Sequence, residues 1–159
     1  MSREQVNGWN DAIGQAAIVL ELETIFERTQ AAIEERGPAC WASGRCCNFE
    51  KTGHRLYVTG LETAYAVAKG ATATSETVAE ARARGGCPFQ ESNLCGIHAI
   101  KPLGCRVYFC DKSSEEWQRE LYERMLTEIR GIHDRWQIEY RYGEWRDMLE
   151  LFAGAGRST

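Results

Sequence analysis

Residues 87–110 read Cys87-Pro-Phe-Gln-Glu-Ser-Asn-Leu-Cys95-Gly-Ile-His98-Ala-Ile-Lys101-Pro102-Leu-Gly-Cys105-Arg106-Val-Tyr-Phe-Cys110. Four of the seven cysteines of the chain fall in this run, and the other three stand in Cys40-Trp-Ala-Ser43-Gly-Arg45-Cys46-Cys47. An odd number cannot pair completely within one chain. Residues 1–14 (MSREQVNGWNDAIG) lack a basic region followed by an apolar core, so no secretory leader is expected and the location is read as cytoplasmic. The neighbours Cys46 and Cys47 have Cα atoms about 3.8 Å apart, closer than the roughly 4.4 Å a relaxed disulfide needs. In a reducing compartment, thiols concentrated in this way read as metal ligands or redox groups.

The two cysteine stretches, 37–58 and 85–112, are rich in Gly, Pro, Asn and Ser, with brief strand-like runs at Arg55-Leu56-Tyr57-Val58 and Val107-Tyr108-Phe109. Irregular segments of that length are uncommon in a compact domain unless something else orders them. A bound metal would, and one centre shared by both stretches is the expectation. Soft thiolates select zinc, iron–sulfur clusters or Cu(I) over hard cations.

Helices bracket these stretches. Ile18, Leu22, Ile25, Thr29 and Ile33 recur at helical spacing, and Gly37-Pro38 stops that helix near Arg36. Thr59-Gly60-Leu61-Glu62 has the form of a capping box; Leu61, Ala64, Tyr65 and Ala68 make its buried stripe, and Gly70 ends it. A third helix is expected over 75–84, closed by Gly85-Gly86. Ser113 and Glu116 form a second capping box, ahead of a stripe of Trp117, Leu121, Met125, Ile129, Ile132 and Trp136. A last short helix carries Trp145, Met148, Leu149 and Phe152. The aromatics Trp117, Trp136, Tyr140, Tyr142 and Trp145 read as core. The glycine-bearing tail at 154–159 reads as a frayed end, because no strand precedes it as a phosphate loop requires.

The fold class is therefore mainly α: a small helical domain with two cysteine-rich loops gathered around a metal centre. At 159 residues, 43% hydrophobic and 26% charged, the chain reads as a single domain. It divides into an N-terminal helix (1–36), a cysteine-cluster core (37–112) and C-terminal helices (113–159). No apolar run approaches the roughly 18 residues that span a bilayer, so no membrane partner is expected. With 19 basic against 23 acidic residues and a net charge of −4, general nucleic-acid binding is disfavoured.

The candidate metal ligands are Cys40, Cys46, Cys47, Cys87, Cys95, Cys105 and Cys110. Neither stretch has the C-x2-C spacing of a zinc knuckle, nor the ferredoxin spacing. His98 follows Cys95 closely enough to reach the centre but is not counted among the ligands; His54 and His133 read as non-ligands. Four thiolates on one zinc leave a charge of about −2, which the adjacent Arg45 and Arg106 would offset.

These residues resemble the CxxCxxCC (YkgJ-like) cysteine-cluster family. The match runs through Cys40, Cys46 and Cys47, the helix start Val58-Thr59-Gly60-Leu61-Glu62, Cys87-Pro88-Phe89, Cys95-Gly96-Ile97-His98, Pro102, Cys105-Arg106 and Cys110. Two positions depart from the family pattern. Ser43 stands where a cysteine is usual, leaving an alternative oxygen ligand or a dispensable site, and Lys101 stands where an arginine is usual. The resemblance implies chelation of zinc or iron. The alternative is an iron–sulfur protein acting as redox carrier or as accessory to a modifying enzyme. No H-E-x-x-H, G-x-S-x-G or C-x-x-C signature is present, so no catalytic residue is assigned.

Overall fold

The computed structural model describes residues 2–36, 56–91, 94–97, 99–107 and 115–156. It is mainly helical, as the periodicities predict. In chain order the elements are α1 (Ser2–Ile13), α2 (Ala16–Arg36), β1 (Tyr57–Thr59), α3 (Gly60–Ala68), α4 (Ser75–Arg84), β2 (Gln90–Glu91), β3 (Leu94–Cys95), α5 (Leu103–Val107), α6 (Glu115–Arg135), β4 (Tyr142–Glu144) and α7 (Trp145–Gly156). Two small antiparallel ladders join β1 to β4 and β2 to β3.

The buried stripe of α2 is Ile18, Leu22, Ile25, Phe26, Thr29 and Ile33. It faces Leu121, Met125, Ile129 and Ile132 of α6 in one core cluster, completed by Leu61 and Tyr65 of α3 and by Leu103 and Val107 of α5. A second cluster gathers Val6 and Trp9 of α1, Leu56 and Val58, Ala64 and Ala66 of α3, Val78 of α4, Cys87, Cys105, and Trp145, Met148, Leu149 and Phe152 of α7. Helices α3 and α5 thus stand between the two clusters and supply side chains to both.

The structure differs from the sequence expectations at several points. The first 36 residues form two helices, with the break at Gly14, whose amide bonds back to Asn10 and Asp11. The unforeseen α1 packs Trp9 so close to Gly60 that any Cβ there would overlap the indole ring. Among its described residues the second cysteine stretch is not wholly irregular: β2 pairs with β3, α5 follows, and Val107 is helical rather than extended. The first bonds of that helical turn run from the amides of Cys105 and Arg106 to the Pro102 carbonyl.

Among the aromatics expected in the core, Trp145 is fully buried, but Trp136 and Tyr142 are 41% and 39% exposed. Trp136 leaves the stripe because α6 ends at Arg135 and Gln137 turns left-handed at φ 55°. Trp117 and Tyr140 are half-buried, Ala68 is exposed, and α7 continues through Gly154–Gly156 where a frayed end was expected. The capping residue Ser113 lies outside the described residues.

Candidate metal centre

Cys87 follows α4 directly. That helix ends at Gly85, left-handed at φ 75°, and the Gly86 amide returns to the Ala81 carbonyl at 2.9 Å. The turn delivers Cys87 into the core, where it is 3% exposed. Its carbonyl accepts from Arg84 Nη2 at 2.7 Å and from the Gln90 amide at 3.2 Å. Its Sγ accepts from the indole Nε1 of Trp145 at 3.3 Å.

Trp145 is placed by the β1–β4 ladder. Tyr57 pairs with Glu144, and the Trp145 amide continues the ladder by donating to the Leu56 carbonyl at 2.9 Å. The carboxylate of Glu144 then caps α7, accepting the amides of Arg146 and Asp147 at 2.9 and 3.2 Å. Arg146 is buried beside it, with Nε on Glu144 Oε1 at 2.6 Å and Nη1 3.5 Å from the Gly86 carbonyl. Two guanidinium groups, Arg84 and Arg146, therefore hold the backbone on either side of Cys87.

Cys105 sits in α5 and is also buried. Its neighbour Gly104 lies against Leu56: a Cβ at Gly104 would fall 2.5 Å from Leu56 Cδ1. Leu56 therefore touches the Cys105 turn with its side chain and the Trp145 amide with its carbonyl. Cys87 and Cys105 share one buried cluster with it. The backbone of Cys95 pairs with Gln90 across the β2–β3 hairpin. Cys40, Cys46, Cys47, Cys110, Ser43, Arg45, His54 and His98 lie outside the described residues. Among the described residues no group of three or more His, Cys, Asp or Glu side chains is arranged to hold a metal.

The α5 turn is held by a buried carboxylate. Glu62 Oε2 accepts the Thr59 amide at 2.8 Å, closing the expected capping box, while Oε1 accepts the Leu103 amide at 2.8 Å. Burial pushes the Glu62 carboxyl up; the Thr59 and Leu103 N–H donors and the nearby Arg106 charge work against that. Arg106 lies with its guanidinium carbon 3.9 Å from the Phe26 ring centre and donates from Nε to the Lys101 carbonyl at 2.8 Å. Burial lowers its pKa, opposed by Tyr65, Glu62 and Cys105. Tyr65 itself is pushed up to about 12, by burial and then by its hydrogen bond to Glu23. Arg106 thus braces the 99–106 turn while setting positive charge beside the Cys105 sulfur.

His133, read as a non-ligand, is buried with Nδ1 3.0 Å from the Glu139 carbonyl. Sequence reasoning missed the roles of Trp145, Arg84 and Arg146 around Cys87, and the reach of Glu62 to Leu103. These contacts join residues distant in the chain, and no local pattern marks them.

The donors fit a soft metal. Cys87 and Cys105 are buried sulfurs; Arg106 sets a positive charge near Cys105, and Cys87 receives an N–H bond, a partner that a thiolate accepts better than a thiol. No described helix is long and apolar enough to cross a membrane. No curated protein and no solved structure matches this chain. A family model does match residues 39–123, more than half of the 159; it is the CxxCxxCC family, described as "Putative zinc- or iron-chelating domain". The matched segment holds every cysteine, the Glu62 cap and the α5 turn, and on its extent the chain belongs to the CxxCxxCC family.

Proposed function

We propose that this protein holds zinc or iron through thiolates drawn from both cysteine stretches, with Cys40, Cys46, Cys47, Cys87, Cys95, Cys105 and Cys110 as the ligand pool. The observation that carries this reading is the convergence at Leu56. Leu56, near the end of the first stretch, touches Gly104, beside Cys105, and bonds the amide of Trp145, whose indole reaches Cys87. A metal bound there draws on thiols far apart in sequence. Arg106, which interacts electrostatically with Cys105, offsets part of the negative charge that several thiolates bring together.

Seven thiols exceed the four of one closed zinc site. That surplus favours, as a second reading, an iron–sulfur cluster serving as redox carrier or as accessory to a modifying enzyme. Anaerobic purification followed by elemental analysis and a visible spectrum separates the readings. Zinc in a colourless protein supports the first, and iron with acid-labile sulfide in a brown protein supports the second. A protein purified anaerobically with neither metal, and taking up neither on reconstitution, overturns both.

A further inference from the structure

We infer that Trp145, which lies beyond the family segment 39–123, tunes and retains the metal by donating its indole N–H to the Cys87 thiolate. This rests on the reading of Cys87 as a ligand. Tryptophan is a donor only, and when buried its N–H takes a partner. Two other tryptophans here use oxygen: Trp9 donates to the Glu139 carbonyl at 2.8 Å, and Trp136 donates to the Glu21 carboxylate. Trp145 instead donates to sulfur at 3.3 Å, fully out of solvent.

The ring is fixed for that task. Its own amide is tied to Leu56, its ring meets Phe89 at a centroid distance of 5.9 Å, and Glu144 caps the helix it begins. A neutral thiol is a weak acceptor, whereas a hydrogen bond to a charged partner is roughly twice as strong as a neutral one. The contact is therefore stronger to a metal-bound Cys87 thiolate than to a neutral Cys87 thiol. Groups that bond to a ligand in this way set its basicity and orientation, and hydrogen bonds to ligand sulfurs shift the energy of the metal–sulfur bond. The family segment supplies the thiol and the C-terminal helix supplies its donor.

The test uses the full chain reconstituted with cobalt(II), comparing wild type, Trp145→Phe, Trp9→Phe and Cys87→Ser. Trp9 is as buried as Trp145 but sends its N–H to a carbonyl, so it controls for lost packing. Trp145→Phe is expected to weaken cobalt binding about 10-fold in chelator competition and to move the sulfur-to-cobalt charge-transfer band to lower energy. Trp9→Phe is expected to leave the band in place. An unmoved band in Trp145→Phe, or equal shifts in both tryptophan variants, overturns the inference and leaves the metal reading standing. A spectrum unchanged in Cys87→Ser does the same. A wild-type protein without any cobalt–thiolate band overturns both. If Trp145→Phe does not fold, 3-benzothienylalanine at position 145 keeps the bicyclic shape without the N–H and gives the same readings.

Discussion

Glu62 and Leu103, 41 positions apart, are joined by a buried hydrogen bond of 2.8 Å from the Leu103 amide to Glu62 Oε1. The other carboxylate oxygen holds the Thr59 amide at the start of α3. One side chain thus closes the first turn of α3 and anchors the turn that carries Cys105.

Glu62→Gln keeps the shape but turns an amide NH2 toward one of the two backbone donors, leaving a buried N–H without an acceptor. That loss is expected to cost about 2 to 3 kcal/mol, read as a lower midpoint in chemical denaturation. Whichever of the Thr59 and Leu103 amides loses its oxygen should also exchange faster with deuterium. A variant as stable as wild type would show that the second cap contributes nothing.

The contact of Trp9 with Gly60 sets a steric limit at the start of α3. Gly60→Ala places a methyl group inside the indole ring of a fully buried tryptophan. The expected loss is about 3 kcal/mol. Gly8, one position before Trp9 in α1, has open space around the place a Cβ would occupy. Gly8→Ala is therefore expected to stabilise by about 0.5 to 1 kcal/mol through helix propensity. Thermal midpoints that move in the same direction for both variants would contradict this packing.

His133 makes stability depend on pH. Burial lowers its pKa from the ordinary value of 6.5, against the Glu139 and Ile138 backbone contacts and the charge of Asp134; Tyr140 meets its ring edge-on. Its Nε2 has no hydrogen-bond partner among the described residues. The folded state therefore keeps His133 neutral where the unfolded chain already takes up a proton. Its stabilising contribution is complete above pH of about 6.5 and is lost as pH falls through the lowered folded value. His133→Phe should flatten this part of the profile. Metal release at low pH is common to both proteins and cancels in their difference; parallel profiles would exclude His133 as the source.

Metal removal should loosen the cysteine segments and spare the α2–α6 pair. Structural zinc can contribute roughly 10 to 16 kcal/mol, whereas α2 and α6 hold each other through a shared apolar core and the Arg28–Glu128 and Arg135–Glu21 ion pairs. After chelation, hydrogen exchange should rise across β2, β3 and the amide of Cys105. The Leu103 amide should stay slower than its neighbours because its acceptor, Glu62, does not depend on metal. Unchanged exchange around Cys87, Cys95 and Cys105 would mean that the metal does not order this region.

By itself the sequence determined the elements whose signals are local. The stripe from Ile18 to Ile33, the Thr59–Glu62 capping box, the Gly85 stop after α4 and the cluster Trp145, Met148, Leu149 and Phe152 all appear in the structure as read. Periodicity and capping involve residues three or four apart, so one stretch of chain specifies them. Helix α1 escaped because Asn7, Gly8 and Asn10, poor helix formers, interrupt its apolar spacing, and its burial depends on Gly60 in another helix. Only the tertiary structure decided that Trp136 faces solvent while Trp145 is buried, since the same aromatic spacing serves both. It also decided that Cys87 meets an indole 58 positions away and that Glu62 reaches Leu103. The Cys87–Trp145 contact exists because the β1–β4 pairing carries α7 back to the end of α4, and contacts between segments so distant follow from packing rather than from any short pattern.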